Sequence, residues 1–411
     1  MTFSARIFVS VLSLAFAACG KNVIVTTVDI PESRSEVQSP SAPLGTVISH
    51  FPKSGGAYVG SPSIAVAPDG SYVASHDLFG DGAPLSERGR TTLVFRSTDN
   101  GLTWVQVSEI DGLFWANLFY LNDKLYAFGV ERGHGNIVIM RSADNGRTWT
   151  TPTDERSGLL FRGAYHTAPT PVVIGKCRIW RAVEYADAID STLPIRYGAA
   201  MISAETGSDL LNADNWRMTN ILAADATDLG GEMRGWLEGN AVIGPDGGIL
   251  DIMRVHVWPG TPEYAAVLRV SDDGRRISFS EDDYVEFAGG AKKFTIRYDK
   301  KSGLYWTLAN NVREEYASEY PASVRNTLSL FSSPDLRHWT MRKTVLSHPD
   351  RLKHAFQYAD WVIRGDDILF VSRTAWEDAE GDAASAHDAN YLTFHRIVGF
   401  RSLADTVADN E

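Results

Sequence analysis

Two octapeptides in this chain are almost the same phrase: Ser97-Thr98-Asp99-Asn100-Gly101-Leu102-Thr103-Trp104 and Ser142-Ala143-Asp144-Asn145-Gly146-Arg147-Thr148-Trp149. Each follows a short apolar run of strand character, at 92–95 and 137–140. Asp-Asn-Gly suits a tight turn, because Asn and Gly tolerate positive φ. The Ser and Asp side chains can bond turn amides while the indole packs on neighbouring strands, so each phrase reads as a self-contained hairpin clip. Such a clip serves the fold rather than the chemistry.

Looser copies stand at Ser271-Asp272-Asp273-Gly274, at Ser333-Pro334-Asp335-Leu336-Arg337-His338-Trp339 and at Asn212-Ala213-Asp214-Asn215-Trp216. Recurrence every roughly 40 to 60 residues, with several strands per unit, is the pattern of a propeller. Strand signals group into six units, at 59–110, 113–154, 166–220, 236–279, 293–345 and 354–400. Several open with an apolar strand, a Pro/Asp/Gly or Lys/Asp turn, and a second apolar strand. The last unit is one strand short, and 45–50 can supply it, closing the ring and removing exposed edges. The expectation is an all-β six-bladed β-propeller over 45–411, with seven blades as the alternative.

The 411 residues are 44% hydrophobic and 22% charged, enough to bury a large core. A net charge of -12 argues against a nucleic-acid partner, which would need clustered Lys and Arg against phosphates. At the N-terminus one cation, Arg6, precedes an apolar run from Ile7 to Ala18, too short for a permanent span. Small residues before Cys19 resemble a bacterial lipobox. That resemblance implies a lipoprotein signal peptide at 1–18, lipidation of Cys19, and a bacterial cell-envelope location, with membrane attachment only through the anchor. Residues 19–44, rich in Ser, Pro and Thr from position 21, read as a flexible tether. Cys177 then stands alone, with no disulfide partner, and is expected to be a buried thiol.

Propellers present side chains from every blade at the mouth of the axial channel, so polar residues on apolar inner strands mark candidate sites. Glu238 precedes one such strand, Arg254 ends the next, Arg325 leads into the fourth clip, and Tyr358 precedes the inner hairpin of the last unit. The clips resemble the Asp-box of the sialidase superfamily, and the order Glu, Arg, Arg, Tyr resembles its catalytic half. The resemblance implies a Tyr358 nucleophile activated by Glu238, with Arg254 and Arg325 holding a substrate carboxylate.

The residue types suit those roles. A phenol needs a carboxylate to take its proton, a neutral nucleophile avoids repulsion by an anionic sugar, and Arg forks bind carboxylates bidentately. Where sialidases carry a first-blade Arg-Ile-Pro this chain has Gly60-Ser61-Pro62, so the substrate can be another acidic sugar. Asp77, Asp81 and Glu87 are the candidates for the first-blade acid.

Histidines at strand ends, His76, His134, His166, His354 and His387, form a second pattern. His166 or Tyr358 as base, with cations on a uronate, is what β-elimination requires, and ulvan lyase propellers resemble the chain at this level. Arg373, Trp236, Trp361 and Trp376 are further substrate-binding candidates, the indoles as sugar platforms. No Cys/His spacing supports a metal, and no cofactor is expected. The sequence thus points to a glycoside hydrolase releasing an acidic sugar from a glycan or polysaccharide. The alternatives are a lyase on uronate-containing polysaccharide and a glycan-binding propeller without catalysis.

Overall fold

The computed structural model describes residues 42–186 and 197–407. The expected signal peptide, Cys19 and the tether up to residue 41 lie outside the described residues.

Among the described residues every strand pairs antiparallel, and the strands make five sheets. The first holds Tyr58–Val59, Ser63–Val66, Tyr72–Phe79, Leu85–Ser86, Gly89–Ser97 and Val105–Asp111. The next has nine strands, running from Phe114–Leu121 through Lys124–Val130, Gly135–Ser142, Leu159–His166 and Arg178–Ala186 to Tyr197–Glu205 and Trp216–Met218. Val173–Gly175 and Leu222–Ala223 pair alongside it. The third is built on Met233–Ile243, Ile249–Val257 and Tyr264–Val270. The fourth contains Thr295–Asp299, Leu304–Asn310, Thr327–Ser333 and Thr340–Ser347. In the last, Ala355–Arg364, Asp367–Ala375 and Tyr391–Ile397 are joined by the N-terminal strand Thr46–His50.

The expectation of six separate blades, and its alternative of seven, is therefore corrected. Four sheets have the four to six strands of a single blade, and the fifth, with nine, fuses the second and third units. The cause is one strand. Leu159–His166 pairs from Leu159 to Tyr165 with Gly135–Ser142, and at its end, through Tyr165 and His166, with Tyr185 and Glu184 as well.

Apolar clusters hold the sheets face to face in a ring. Val73 and Val94 meet Ala127 and Val138; Trp180 and Met201 meet Met253 and Val255; Ile252 meets Ile296 and Phe331. Trp306 and Leu330 meet Trp361 and Phe370, and Leu369 and Leu392 return to Ile64 and Phe95. These side chains are almost fully buried, each contributing roughly 1.5–3 kcal/mol from removal of apolar surface from water. The architecture is an all-β propeller.

The clips form as their chemistry requires. Ser97 Oγ accepts from the Gly101 amide at 2.9 Å, Asp99 from the Thr103 amide at 3.0 Å, and the Trp104 indole donates to Gly101 O. Ser142, Asp144, Thr148 and Trp149 repeat the pattern, and Ser333, Asp335, His338 and Trp339 keep its main bonds. Asn100 and Asn145 have φ of 62° and 58°, as the turn demands. Cys177, expected buried, is exposed: Lys176 and Cys177, both at positive φ, form the two-residue turn between Val173–Gly175 and Arg178–Ala186.

Candidate active site

Three inner strands share a defect at the same place. Their ladders slip between Phe114 and Asn117, between Leu237 and Asn240, and between Gln357 and Asp360. At each slip one bulky residue takes the left-handed conformation: Trp115 at φ 52°, Glu238 at 59° and Tyr358 at 56°. Bulges re-aim a side chain out of the regular alternation, and a non-Gly residue held there costs about 1–3 kcal/mol. Two of the three residues so aimed meet each other.

Tyr358 Oη donates to Glu238 Oε1 at 2.6 Å, while Arg254 Nη1 donates to Glu238 Oε2 at 2.6 Å. Glu238 and Arg254 are buried and Tyr358 is partly exposed. Arg254 is held further by Ala291 O at 2.9 Å. The Arg325 guanidinium lies 5.8 Å from the Tyr358 ring centroid and that of Arg373 lies 5.2 Å from it. Arg325 donates to Gln357 Oε1 and Ala322 O, and Arg373 donates to His387 O. The Arg373 Nε–H is buried with no acceptor among the described residues. The phenol is thus bracketed by three guanidinium groups and one carboxylate.

The electrostatics follow from that count. Burial pushes the Glu238 carboxyl up, but Arg254, His166 and the Tyr358 hydrogen bond outweigh it and hold the group below its ordinary value. Burial and the Glu238 charge raise the Tyr358 phenol, against the opposing pull of Arg254, Arg325 and Arg373. Burial, with Arg254 and Arg373 nearby, brings Arg325 down to about 10. Burial also pushes His256 well down, and its cationic neighbours Arg254, Arg325, Arg234 and Lys292 push the same way. His387 falls to about 4 through burial and the charges of Arg373 and Arg325. A cleft of about 410 Å³ lined by Arg254, His256, Tyr320, Arg325, Arg351 and His387 is therefore locally positive in an acidic protein. Neither Tyr358 nor Glu238 lines this cleft, which adjoins the pair through Arg254 and Arg325; two larger cavities, of about 660 and 590 Å³, share no residue with the pair or its arginines.

His166 interacts electrostatically with Glu238, and its Nδ1 lies 2.7 Å from Glu184 Oε2. Glu184 Oε1 accepts from the Gly239 amide at 2.9 Å, tying this dyad to the bulge that carries Glu238. The Trp115 indole lies 4.5 Å from the His166 ring and 5.6 Å from that of His134, whose Nε2 is 2.9 Å from Tyr197 Oη.

Asp77 is buried, accepting from the Ser61 amide at 2.8 Å and the Trp115 amide at 2.6 Å. Burial raises it to about 6, against the pull of those two amides and of Arg373 and Arg90. Through these two bonds it anchors the Trp115 bulge. It also explains Gly60: a Cβ there would lie 1.5 Å from Asp77 Oδ1, so no arginine can occupy the position. A third guanidinium comes instead from Arg373.

Other expected positions fall away from the pair. Asp81 and Glu87 are exposed, and no described hydrogen bond joins either to it. Trp236 is buried against Phe279 in the core, and Trp361 is buried with its indole bonded to Thr295 O at 2.8 Å, so neither offers a face to a sugar. His76 is buried and lowered to about 4 by that burial, its ring set between Ser49 and the Asp77 carbonyl. His354 stacks on His348 beside Trp376, bonded to Asp350 and Glu377. The residues that sequence reasoning missed are Trp115, Glu184 and His256. A signal for Trp115 exists: Trp115-Ala116-Asn117, Glu238-Gly239-Asn240 and Tyr358-Ala359-Asp360 are one pattern, an aimed residue, a small residue and Asn or Asp.

No family model matches the sequence, and no curated protein does. Among solved structures, an alpha-L-arabinanase of Penicillium chrysogenum complexed with arabinobiose aligns at TM-score 0.54 and 14% identity, over 90% of this chain and 100% of that one. The Hadza microbial sialidase Hz136 aligns at 0.55 and 14%, over 84% of this chain and 66% of that one. Trypanosoma rangeli sialidase in complex with sialic acid aligns at 0.55 and 15%, over 89% and 61%. These likenesses show a sialidase-like propeller fold.

Proposed function

We propose that this chain is a glycoside hydrolase acting on an anionic sugar, with Tyr358 as nucleophile and Glu238 as its base. The observation that carries the reading is the 2.6 Å bond from Tyr358 Oη to Glu238, with Arg254 on the other carboxylate oxygen. Proteins of this fold include an arabinanase and sialidases, so the fold alone does not choose the sugar. Arg254, Arg325 and Arg373 favour a carboxylate or comparable anion beside the reacting carbon.

In the first step the phenolic proton passes to Glu238, the Tyr358 oxygen bonds to the anomeric carbon, and the glycosidic bond breaks. His166, oriented through Nδ1 by Glu184, gives the leaving oxygen its proton from Nε2. In the second step water attacks the anomeric carbon as its bond to the Tyr358 oxygen breaks, His166 takes a proton from the water, and Glu238 returns the phenolic proton to the released Tyr358 oxygen. The arginines counter charge building on the phenol oxygen, which burial alone would oppose. With the leader expected at 1–18 and lipidated Cys19, the setting of this reaction is the bacterial cell envelope.

The test is release of reducing sugar from a panel of acidic glycans. Tyr358→Phe is expected to lower kcat by at least about 100-fold. Full activity in that variant would sink the mechanism. The His166–Glu184 dyad favours a second reading, β-elimination on a uronate with His166 as base. Product with new ultraviolet absorbance, lost in His166→Ala, would select it, and binding without either product would indicate a lectin.

A further inference from the structure

Glu238 and Tyr358 are two of three side chains aimed by the same device. The third, Trp115, shares the ladder slip, the positive φ, and the following small residue and Asn. A β-branched or aromatic residue gains nothing by itself from the left-handed region, so the strain is held in place by partners. For Trp115 these are Asp77, which accepts from its amide at 2.6 Å, and Thr167, whose hydroxyl donates to its carbonyl at 2.9 Å. Asp77 is a buried carboxylate that joins this loop to the Ser61 amide, and Gly60 is kept free of a side chain to admit it.

Two routes link Trp115 to the Tyr358–Glu238 pair. Its amide bonds Asp77, which feels the charge of Arg373, and the Arg373 guanidinium sits over the Tyr358 ring. Its indole lies 4.5 Å from the ring of His166, which interacts electrostatically with Glu238. Around it stand Phe114, His134 and His166, all rings, with the Tyr197 ring 4.9 Å from His166. The surroundings of the pair therefore divide into a cationic group, Arg254, Arg325 and Arg373, and an aromatic group, Trp115 with His166 and its neighbouring rings.

We infer that Trp115 is a substrate-contacting residue, a stacking platform for a second sugar ring next to the anionic ring at Tyr358. The site on this reading takes an oligosaccharide, its charged unit among the guanidinium groups and its neighbour lying with an apolar face on the indole. The inference rests on the glycoside reading above, since it names what the leaving group offers.

The experiment compares two substrates of the same acidic sugar: an oligosaccharide, and the glycosyl fluoride, which has no second ring. In Trp115→Ala the preference for the oligosaccharide over the fluoride, as a ratio of kcat/KM, is expected to fall about tenfold, mainly through KM. Trp115→Phe is expected to restore most of it. Equal losses on both substrates, or no loss on either, would overturn the assignment in favour of a purely structural role. Calorimetric binding of the oligosaccharide to Tyr358→Phe, with and without Trp115→Ala, separates the two claims. If the wild type turns over neither substrate, hydrolysis fails, and a tenfold weaker Kd in the double variant still upholds the platform. Unchanged or absent binding overturns it.

Discussion

Glu238 has two partners and one charge. Its carboxylate accepts from the Tyr358 hydroxyl on one oxygen and from Arg254 on the other, and all of this happens with Glu238 and Arg254 out of water. Removing one member of a buried pair strands the other, at a cost of about 3–5 kcal/mol. Glu238→Gln should therefore lose stability as well as turnover, read by urea unfolding. Glu238→Gln with Arg254→Met should recover much of the stability and none of the activity.

Asp77 gives a pH signature. Burial raises its folded value to about 6, above the ordinary 3.8, so between these the folded protein holds a proton that the unfolded chain has released. Its stabilising contribution is complete below pH 3.8 and is lost as pH rises through 6. The unfolding free energy of the wild type relative to Asp77→Asn should fall by on the order of 2–3 kcal/mol between pH 4 and 7. A difference that stays flat over that range would show that Asp77 does not titrate there.

At the scale of the element, the repeated bulge turns an inner strand into a pointer. In the first sheet the inner strand is instead broken at Gly60, between Tyr58–Val59 and Ser63–Val66, and the Asp77 side chain fills the break. Gly60→Ala should displace Asp77 and loosen Trp115, costing about 1–3 kcal/mol in urea unfolding and weakening oligosaccharide binding together. Unaltered binding would separate Gly60 from the site.

What was legible in the sequence follows the same scale. The clips at Ser97 and Ser142 could be read because the bonds that shape their turns are local, from Ser and Asp to amides within five residues. Glu238, Arg254, Arg325 and Tyr358 could be picked out because polar residues interrupt apolar strands. Trp115 escaped because an aromatic residue on an apolar strand looks like core until the slip beside Asn117 is seen. Trp236 misled for the converse reason, its place beside Glu238 putting it on the inward face of the strand.

Across the whole molecule, the ring is closed by chain that arrives first. Thr46–His50 pairs with Tyr391–Ile397, and His50 stacks on Tyr391 at 4.2 Å while bonding Asp378 at 2.8 Å. A chain starting at residue 52 should melt roughly 5–10 °C below one starting at 42, and its bared edge at Tyr391–Ile397 should promote self-association in light scattering. Equal melting of the two would show that the closing strand is dispensable. The fused sheet was not legible because its cause is non-local: Leu159–His166 divides its hydrogen bonds between strands on either side of a long connection.

The exposed turn at Lys176 and Cys177 has a practical side. It starts the strand whose other end holds Glu184, so about seven residues, on the order of 20 Å, separate the thiol from the His166 dyad. A maleimide-linked surface or dye attached at Cys177 would hold the propeller by its far end, leaving the mouth facing solution. Immobilised in that orientation, the protein could be offered intact polysaccharide and its capture timed directly.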